Sequence, residues 1–235
     1  MWHDDLHRFG LIALSTDLTI EGDAARLLPA TCQLHVTRIA FDNPTTAENL
    51  RLTGPRLSAA SDLLVPGVTL AGIGFGCTSA SAVLGEGGVA QAIGPRAPVM
   101  TPVAAALRGF AALNVQRIAL MTPYLPETTD LVGDSFAQSG IDVLSRRSMG
   151  YADDRDMALL PARQIVEFAR ASDHPEAQAL FMSCTALPAV SLIETLEDAL
   201  GKPVLSSNLA LFWAMLDVAR IPATGRGRLF STRTW

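Results

Sequence analysis

Short apolar runs alternate with longer stretches of helical periodicity along the whole chain. This alternation predicts an α/β fold with mainly parallel strands. The apolar runs predict strands at residues 8–14, 33–39, 70–76, 117–121, 141–147, 179–183 and 204–205. The periodic stretches predict helices at residues 19–28, 46–64, 79–93, 102–113, 127–138, 158–171, 189–200 and 210–218.

The two halves of the chain repeat each other. Residues 8–14 (RFGLIAL) align with residues 117–123 (RIALMTP), and Cys77-Thr78 aligns with Cys184-Thr185 at an offset of 107. Such a repeat predicts two matching lobes. We expect residues 1–100 plus 208–235 to form the N-terminal lobe and residues 101–207 the C-terminal lobe, with a cleft between them.

Composition and charge exclude several classes of protein. Hydrophobic residues make up 49% of the chain and charged residues 17%, which excludes a disordered chain. The formal net charge of −5 disfavours a nucleic-acid partner. No apolar run is long enough for a membrane span, and the charged N-terminus does not resemble a signal peptide. The sequence therefore predicts a cytoplasmic protein without a nucleic-acid or membrane partner.

The sequence has few of the lysines, cysteine motifs and glycine motifs that bind common cofactors. Lys202 is the single lysine and follows a glycine in a predicted turn, which disfavours a pyridoxal-phosphate or Schiff-base enzyme. The three cysteines show no Cys-x-x-Cys spacing, which disfavours zinc. The glycine-rich stretches do not match a dinucleotide fingerprint or a phosphate-binding loop. We expect no metal and no organic cofactor.

Cys77 and Cys184 occupy equivalent places in the two repeats. Each follows an apolar strand and precedes a threonine and a predicted helix. Ligands of open parallel sheets bind beyond the carboxyl ends of strands, and a helix N-terminus favours a thiolate. A single cysteine such as Cys32 is more often a small buried hydrophobe. The coincidence of two equivalent positions favours a pair of catalytic thiols.

Several motifs carry a resemblance to the aspartate/glutamate racemase superfamily over essentially the whole chain. They are residues 76–81 (GCTSAS), 183–185 (SCT) and 201–207 (GKPVLSS). The last of these, with Phe212-Trp213 and residues 225–230 (GRGRLF), resembles most the maleate isomerase and arylmalonate decarboxylase branch. The resemblance implies two pseudo-symmetric Rossmann-like lobes with mainly parallel four-stranded sheets. It also implies an active site in the cleft and no need for a cofactor.

The branches of the superfamily differ in the residues at two cysteine positions, and the residues of this chain there distinguish between the branches. Decarboxylases resemble this chain at Cys184 but have glycine in place of Cys77, whereas racemases and maleate isomerases have both cysteines. The resemblance therefore implies an isomerase or racemase. Glutamate racemases typically carry a histidine where this chain has Ala186, which speaks against a plain glutamate racemase.

The resemblance also suggests residues that contact the substrate. Maleate isomerases have asparagines at positions that align with Asp17 and Asp154, and a tyrosine in this branch aligns with Tyr124. An ionised aspartate only accepts hydrogen bonds, so this change favours a substrate that carries nitrogen as well as a carboxylate. Either aspartate could instead cap a helix or turn. Donors for the substrate carboxylate are expected from Thr78, Ser79, Thr185, Tyr124 and helix amides.

Together these features predict a cofactor-independent racemase or isomerase of a small amino-acid-like carboxylate. Some relatives take part in ectoine breakdown, so the resemblance includes ectoine-utilisation proteins and their nitrogen-bearing carboxylates. The alternatives are a maleate cis-trans isomerase, a non-catalytic ligand-binding module and, least favoured, an arylmalonate-type decarboxylase. The expected partner is a small-molecule carboxylate, and a homo-oligomer stays open.

Overall fold

The computed structural model describes residues 6–222 and 224–232. Within these residues, eight parallel strands form two separate four-stranded sheets. The first sheet has the order β2-β1-β3-β4 and the second the order β6-β5-β7-β8. Their strands are β1 His7–Leu14, β2 Cys32–Ile39, β3 Gly72–Gly76, β4 Val99–Met100, β5 Arg117–Thr122, β6 Asp142–Ser148, β7 Ala179–Met182 and β8 Val204–Ser206. The identical strand order confirms the internal repeat.

Each sheet is built around its first strand in the chain. In the first sheet, β1 pairs with β2 from His7↔Cys32 onwards and with β3 from Phe9↔Gly72 onwards. In the second sheet, β5 pairs with β6 and β7 in the same way. The central strands are apolar and buried on both faces, as parallel strands covered by helices are. The short β4 and β8 complete the sheets, and β4 was not predicted.

Eleven helices cover these sheets in the part of the chain that the structure describes. They are α1 Ile20–Leu27, α2 Ala47–Arg51, α3 Leu57–Asp62, α4 Thr78–Ile93, α5 Pro102–Ala112, α6 Pro126–Gln138, α7 Asp154–Ala158, α8 Ala162–Ser172, α9 Ile193–Leu200, α10 Ser207–Val218 and α11 Gly227–Phe230. Short 3-10 turns occupy Gly54–Arg56 and Val190–Leu192.

Proline breaks two of the predicted helices. The helix predicted at residues 46–64 is two helices, α2 and α3, separated by a 3-10 turn that contains Pro55. The helix predicted at residues 158–171 starts later, because Pro161 stands just before α8 and α7 forms separately. A proline has no N–H for the helical ladder and crowds the preceding turn, so it marks a helix start.

Helix α10 lies in the middle of the molecule. It packs against α1 and against strand β3 of the first sheet. It also packs against α5 and against strand β8 of the second sheet. The residues from Ser207 to Leu216 are all buried, so every face of this part of the helix packs against the protein interior. The glycines of β3 permit this approach, since a Cβ on Gly74 would lie 2.9 Å from Met215 Sδ. The predicted bounds of the two lobes, residues 1–100 plus 208–235 and residues 101–207, stay a prediction. Among the described residues, no helix is long and apolar enough to cross a membrane.

Candidate active site

Cys77 and Cys184 line the same cavity. It has a volume of about 250 Å³ and lies where strands of both sheets end. Its lining consists of Leu14, Thr45, Cys77, Thr78, Ser79, Tyr124, Asp154, Cys184, Thr185 and Ala186. Seven of the eight predicted site residues are in this set, and Asp17 is outside it.

Cys77 stands at the start of a helix. It is the N-cap of α4, and its Sγ accepts the N–H of Ala80 at 3.4 Å and lies 3.6 Å from Ser79 Oγ. These contacts favour the thiolate, as the sequence predicted. Burial outweighs them and raises the pKa of Cys77 to about 11. The thiol is therefore protonated at neutral pH in the free protein.

Cys184 has different surroundings. The helix predicted at residues 189–200 begins only at Ile193, after a 3-10 turn, so Cys184 does not stand at a helix N-terminus. Cys184 has a φ of 110°, which is unusual for a residue with a side chain. Its Sγ lies 3.9 Å from Met157 Sδ. Burial raises the pKa of Cys184 as well, although the Ala186 N–H and the Tyr124 hydroxyl act in the opposite direction.

Ser207, the first residue of α10, connects the two cysteine loops. Its Oγ accepts the Cys184 N–H at 3.0 Å and the Thr78 hydroxyl at 2.7 Å. A second connection runs from the Thr185 hydroxyl to the Gly76 carbonyl at 3.1 Å. These buried bonds set the relative position of the two thiols.

The same bonds decide which donors face the cavity. The hydroxyl protons of Thr78 and Thr185 are directed to Ser207 and Gly76. The N–H groups of Thr78 and Ser79 at the start of α4 have no acceptor within the helix. Amides at a helix N-terminus bind carboxylates well. The backbone of Thr78 and Ser79 is thus better placed than the Thr78 hydroxyl to meet an anion.

Tyr124 supplies a neutral donor beside Cys184. Its hydroxyl accepts the Ser183 hydroxyl at 3.3 Å and is directed towards the Cys184 sulphur. Burial raises the pKa of Tyr124 well above its ordinary value, so the phenol stays protonated. A neutral phenol can donate to a thiolate or to a substrate carboxylate.

Asp154 is a cavity residue and not a helix cap. Asp153 caps α7 by accepting the Arg155 N–H at 2.9 Å. The Asp154 carboxylate instead accepts the Asn43 side-chain amide at 2.7 Å and the Thr16 hydroxyl, both from the first half of the chain. The predicted alternative of a cap therefore applies to Asp153.

Asp17 caps α1 from behind the cavity wall. Its Oδ1 accepts the N–H groups of Thr19 at 2.7 Å and Ile20 at 2.8 Å. Its Oδ2 is buried and has no hydrogen-bond partner among the described residues. Burial raises the pKa of Asp17, while the N–H groups of Ile20 and Thr19 and the nearby Thr185 hydroxyl act in the opposite direction. Asp17 acts electrostatically on both cysteines, raising their pKa.

Sequence reasoning missed three lining residues and their supports. They are Leu14, Thr45 and Ala186, together with Thr16 and Asn43. No local motif marks Thr45, whose position depends on bonds to Ala152 and Thr128 in the other half of the chain.

Two further features concern cofactors. Within residues 6–222 and 224–232, no group of three or more His, Cys, Asp or Glu side chains could hold a metal ion. Lys202 is outside the cavity lining and pairs with Asp173 at 3.0 Å.

Comparison with known proteins identifies the family. The family model described as arylmalonate decarboxylase matches residues 88–230, which is more than half of the chain. The chain belongs to the arylmalonate decarboxylase family. A member from Bordetella bronchiseptica, named arylmalonate decarboxylase, is 32% identical over 57% of this chain and 58% of its own length.

Longer matches are found with maleate isomerases. The maleate isomerase of Nocardia farcinica is 28% identical over 95% of this chain and 95% of its own length. A structure of the Nocardia farcinica enzyme, a cysteine-to-serine mutant with a covalently bound succinylcysteine intermediate, has a TM-score of 0.88. It is 26% identical and covers 97% of this chain and 100% of that one.

These matches confirm three predictions. The resemblance to this branch of the racemase superfamily is confirmed by the family match. The α/β class with two lobes and parallel four-stranded sheets is confirmed by the structural match and by the two sheets observed here. The prediction of an isomerase is confirmed by the maleate isomerases that match over nearly the full length.

Proposed function

We propose that this isomerase acts on a small carboxylate that also carries nitrogen, with Cys77 and Cys184 as its acid–base pair. One observation carries the proposal. The two thiols, one from each half of the chain, line a single cavity of about 250 Å³. Cysteines at equivalent places of a two-fold repeat suit a reaction that needs one group on each side of a carbon atom.

The reaction that this pair suits is inversion at the carbon next to a carboxylate. In the fraction of molecules in which Cys77 is ionised, its thiolate removes the Cα proton and becomes a thiol. Cys184 as thiol delivers its proton to the opposite face and becomes the thiolate, ready for the reverse reaction. Cys77 is assigned the thiolate role because it stands at the start of α4 and its Sγ accepts the Ala80 N–H.

The negative charge of the enediolate-like transition state needs donors. The N–H groups of Thr78 and Ser79 supply them, supported by the positive end of the α4 dipole. Tyr124 adds a neutral hydroxyl at the Cys184 side. Because these groups are held by buried hydrogen bonds, little reorganisation is needed as the charge develops.

The charges around the cavity favour nitrogen on the substrate. Asp154 lines the cavity, Asp17 lies close behind it, and no lysine, arginine or histidine is among the lining residues. A substrate with a second carboxylate would meet repulsion there, whereas an ammonium or amide N–H would be attracted.

Maleate-type cis-trans isomerisation is the second candidate. It is favoured by the match to maleate isomerases over 95% of the chain. In this reaction Cys77 as thiolate adds to the double bond, and Cys184 as thiol protonates the neighbouring carbon. Reversal of both steps after rotation about the central bond releases the trans isomer and restores both groups.

Proton NMR in D₂O distinguishes the candidates. The substrates are single enantiomers of amino acids and their N-acyl derivatives, with maleate as a separate arm. Deuterium at Cα together with loss of optical activity supports the first proposal, and fumarate from maleate supports the second. Binding without turnover of any substrate would reject both and favour a ligand-binding module. The matched control is Cys32→Ser, which should keep full activity because Cys32 is outside the cavity.

A further inference from the structure

Thr45 lines the cavity and carries a buried hydroxyl that has no partner in the part of the chain that the structure describes. The residue lines the cavity and its side chain is buried, with 3% of the residue exposed. Its Oγ1 has no hydrogen-bond partner among the described residues. Buried hydroxyls are almost always paired, so an exception at a ligand cavity indicates a group that the ligand completes.

The backbone of Thr45 is fixed on both sides. Its N–H donates to the Ala152 carbonyl at 3.0 Å, and its carbonyl accepts the Thr128 hydroxyl at 2.7 Å. Both partners belong to the other half of the chain. Thr45 therefore stays at the cavity wall.

Asp154 adjoins Thr45 because the loops that carry them are bonded together. The Asn43 amide donates to Asp154 Oδ1 at 2.7 Å, and Asn43 Oδ1 accepts the Asp154 N–H at 3.3 Å. The hydrogen bond from the Thr45 N–H to the Ala152 carbonyl joins the same two loops at a second point. Both Thr45 and Asp154 line the cavity.

The two side chains offer complementary chemistry. Asp154 as a carboxylate only accepts, and its oxygens keep lone pairs beyond those bonded to Asn43 and Thr16. Thr45 can donate its hydroxyl proton to an acceptor. A carboxamide presents an N–H to the first group and a C=O to the second. A carboxylate offers acceptors only and would face the charge of Asp154.

We propose that Thr45 and Asp154 form a subsite for a neutral substrate group that carries both a donor and an acceptor, with a carboxamide as its best match. This inference deepens the proposed function and rests on it only in taking the cavity as the substrate site. It makes Thr45 a specificity-determining residue. The proposed function allows any cationic or hydrogen-bond-donating nitrogen group on the substrate. The subsite restricts this group to an amide type.

Calorimetric binding of succinamate and succinate tests the subsite. These inert acids differ only by an amide in place of one carboxylate. Wild type should bind succinamate at least about tenfold more tightly. Thr45→Val, which keeps the shape and removes the hydroxyl, should weaken succinamate binding about tenfold, and Asp154→Asn should narrow the preference over succinate.

The matched control is Thr53→Val. Thr53 is also a buried threonine, but its hydroxyl donates to the Leu50 carbonyl at 2.6 Å and it is outside the cavity. This variant should bind both acids as wild type does. Equal or tighter binding of succinate by wild type, an unchanged affinity in Thr45→Val, or no binding of either acid would overturn the proposal.

Thermal unfolding of the free protein gives an independent readout. Thr45→Val removes an unsatisfied buried hydroxyl and should raise Tm by about 2 to 4 °C, whereas Thr53→Val should lower it. A lower Tm for Thr45→Val would mean that its hydroxyl is already satisfied. Neither measurement requires proton transfer by the cysteines, so failure of the two-thiol reaction would leave both results unchanged.

Discussion

Replacing Ser207 by alanine should damage both the stability of the protein and its catalysis. The Ser207 hydroxyl accepts the Cys184 N–H at 3.0 Å and the Thr78 hydroxyl at 2.7 Å. All three residues are buried, so the variant leaves two donors without their acceptor. An unsatisfied buried donor costs about 1 to 3 kcal/mol.

For two such donors we expect a loss of about 3 kcal/mol in the free energy of unfolding. In a chain of this length, that corresponds to a decrease of about 6 to 12 °C in Tm. Catalysis should suffer too, because the backbone N–H of Cys184 loses the bond that holds its unusual φ of 110°. Small displacements of reacting groups can lower kcat/KM by about a hundredfold.

The neighbouring serine provides a matched control. Ser206 caps α10 by accepting the Leu209 N–H at 3.2 Å and has no bond to either cysteine loop in the described structure. Ser206→Ala should cost about 1 kcal/mol and leave kcat/KM unchanged. Urea unfolding and steady-state kinetics compare the two variants. Equal effects of both substitutions on stability and on kcat/KM would refute the reasoning.

Four further predictions follow from burial and charge. Burial raises the pKa of Cys77 to about 11, so kcat/KM should rise by roughly tenfold per pH unit between pH 7 and 10, and a plateau below pH 8 would contradict this. Burial raises the pKa of Asp23 from 3.8 to about 6, so the folded state holds this proton more tightly than the unfolded state. Stability should then fall as pH rises from about 4 to 6, by about 3 kcal/mol, and urea unfolding of Asp23→Asn should lack this fall. Asp17→Asn should keep the α1 cap but bind maleate more tightly in a competition assay, and unchanged maleate affinity would make Asp17 a purely structural residue. Limiting iodoacetamide should alkylate the partly exposed Cys32 before the buried Cys77 and Cys184, without loss of activity, which peptide mass mapping and an activity assay can check.

The strands and the cysteine pair were predictable because their signals are local. Parallel strands buried on both faces read as short apolar runs, and the repeat placed Cys77 and Cys184 at equivalent positions. The breaks in two predicted helices also have local signals, Pro55 and Pro161, although the helical periodicity of the sequence continues across both prolines.

The rest of the site depends on contacts between distant parts of the chain. Thr45 lies at the cavity because its backbone bonds to Ala152 and Thr128, and Ser207 matters because two loops converge on its hydroxyl. The raised pKa of Cys77 also depends on the folded surroundings, since burial outweighs the hydrogen bonds at the local helix start. No sequence window contains these partners together.

The central claim is that the reaction requires both cysteines. Its most direct test is the rate of isomerisation by Cys77→Ser and Cys184→Ser, with Cys32→Ser as control. The substrate is the carboxylate that turns over fastest in D₂O, and stereochemical inversion or cis-trans conversion is followed by NMR. We predict that each of the first two variants loses activity by roughly 100- to 10,000-fold. We also predict that the control retains it. Full isomerisation by either Cys77→Ser or Cys184→Ser would contradict the account.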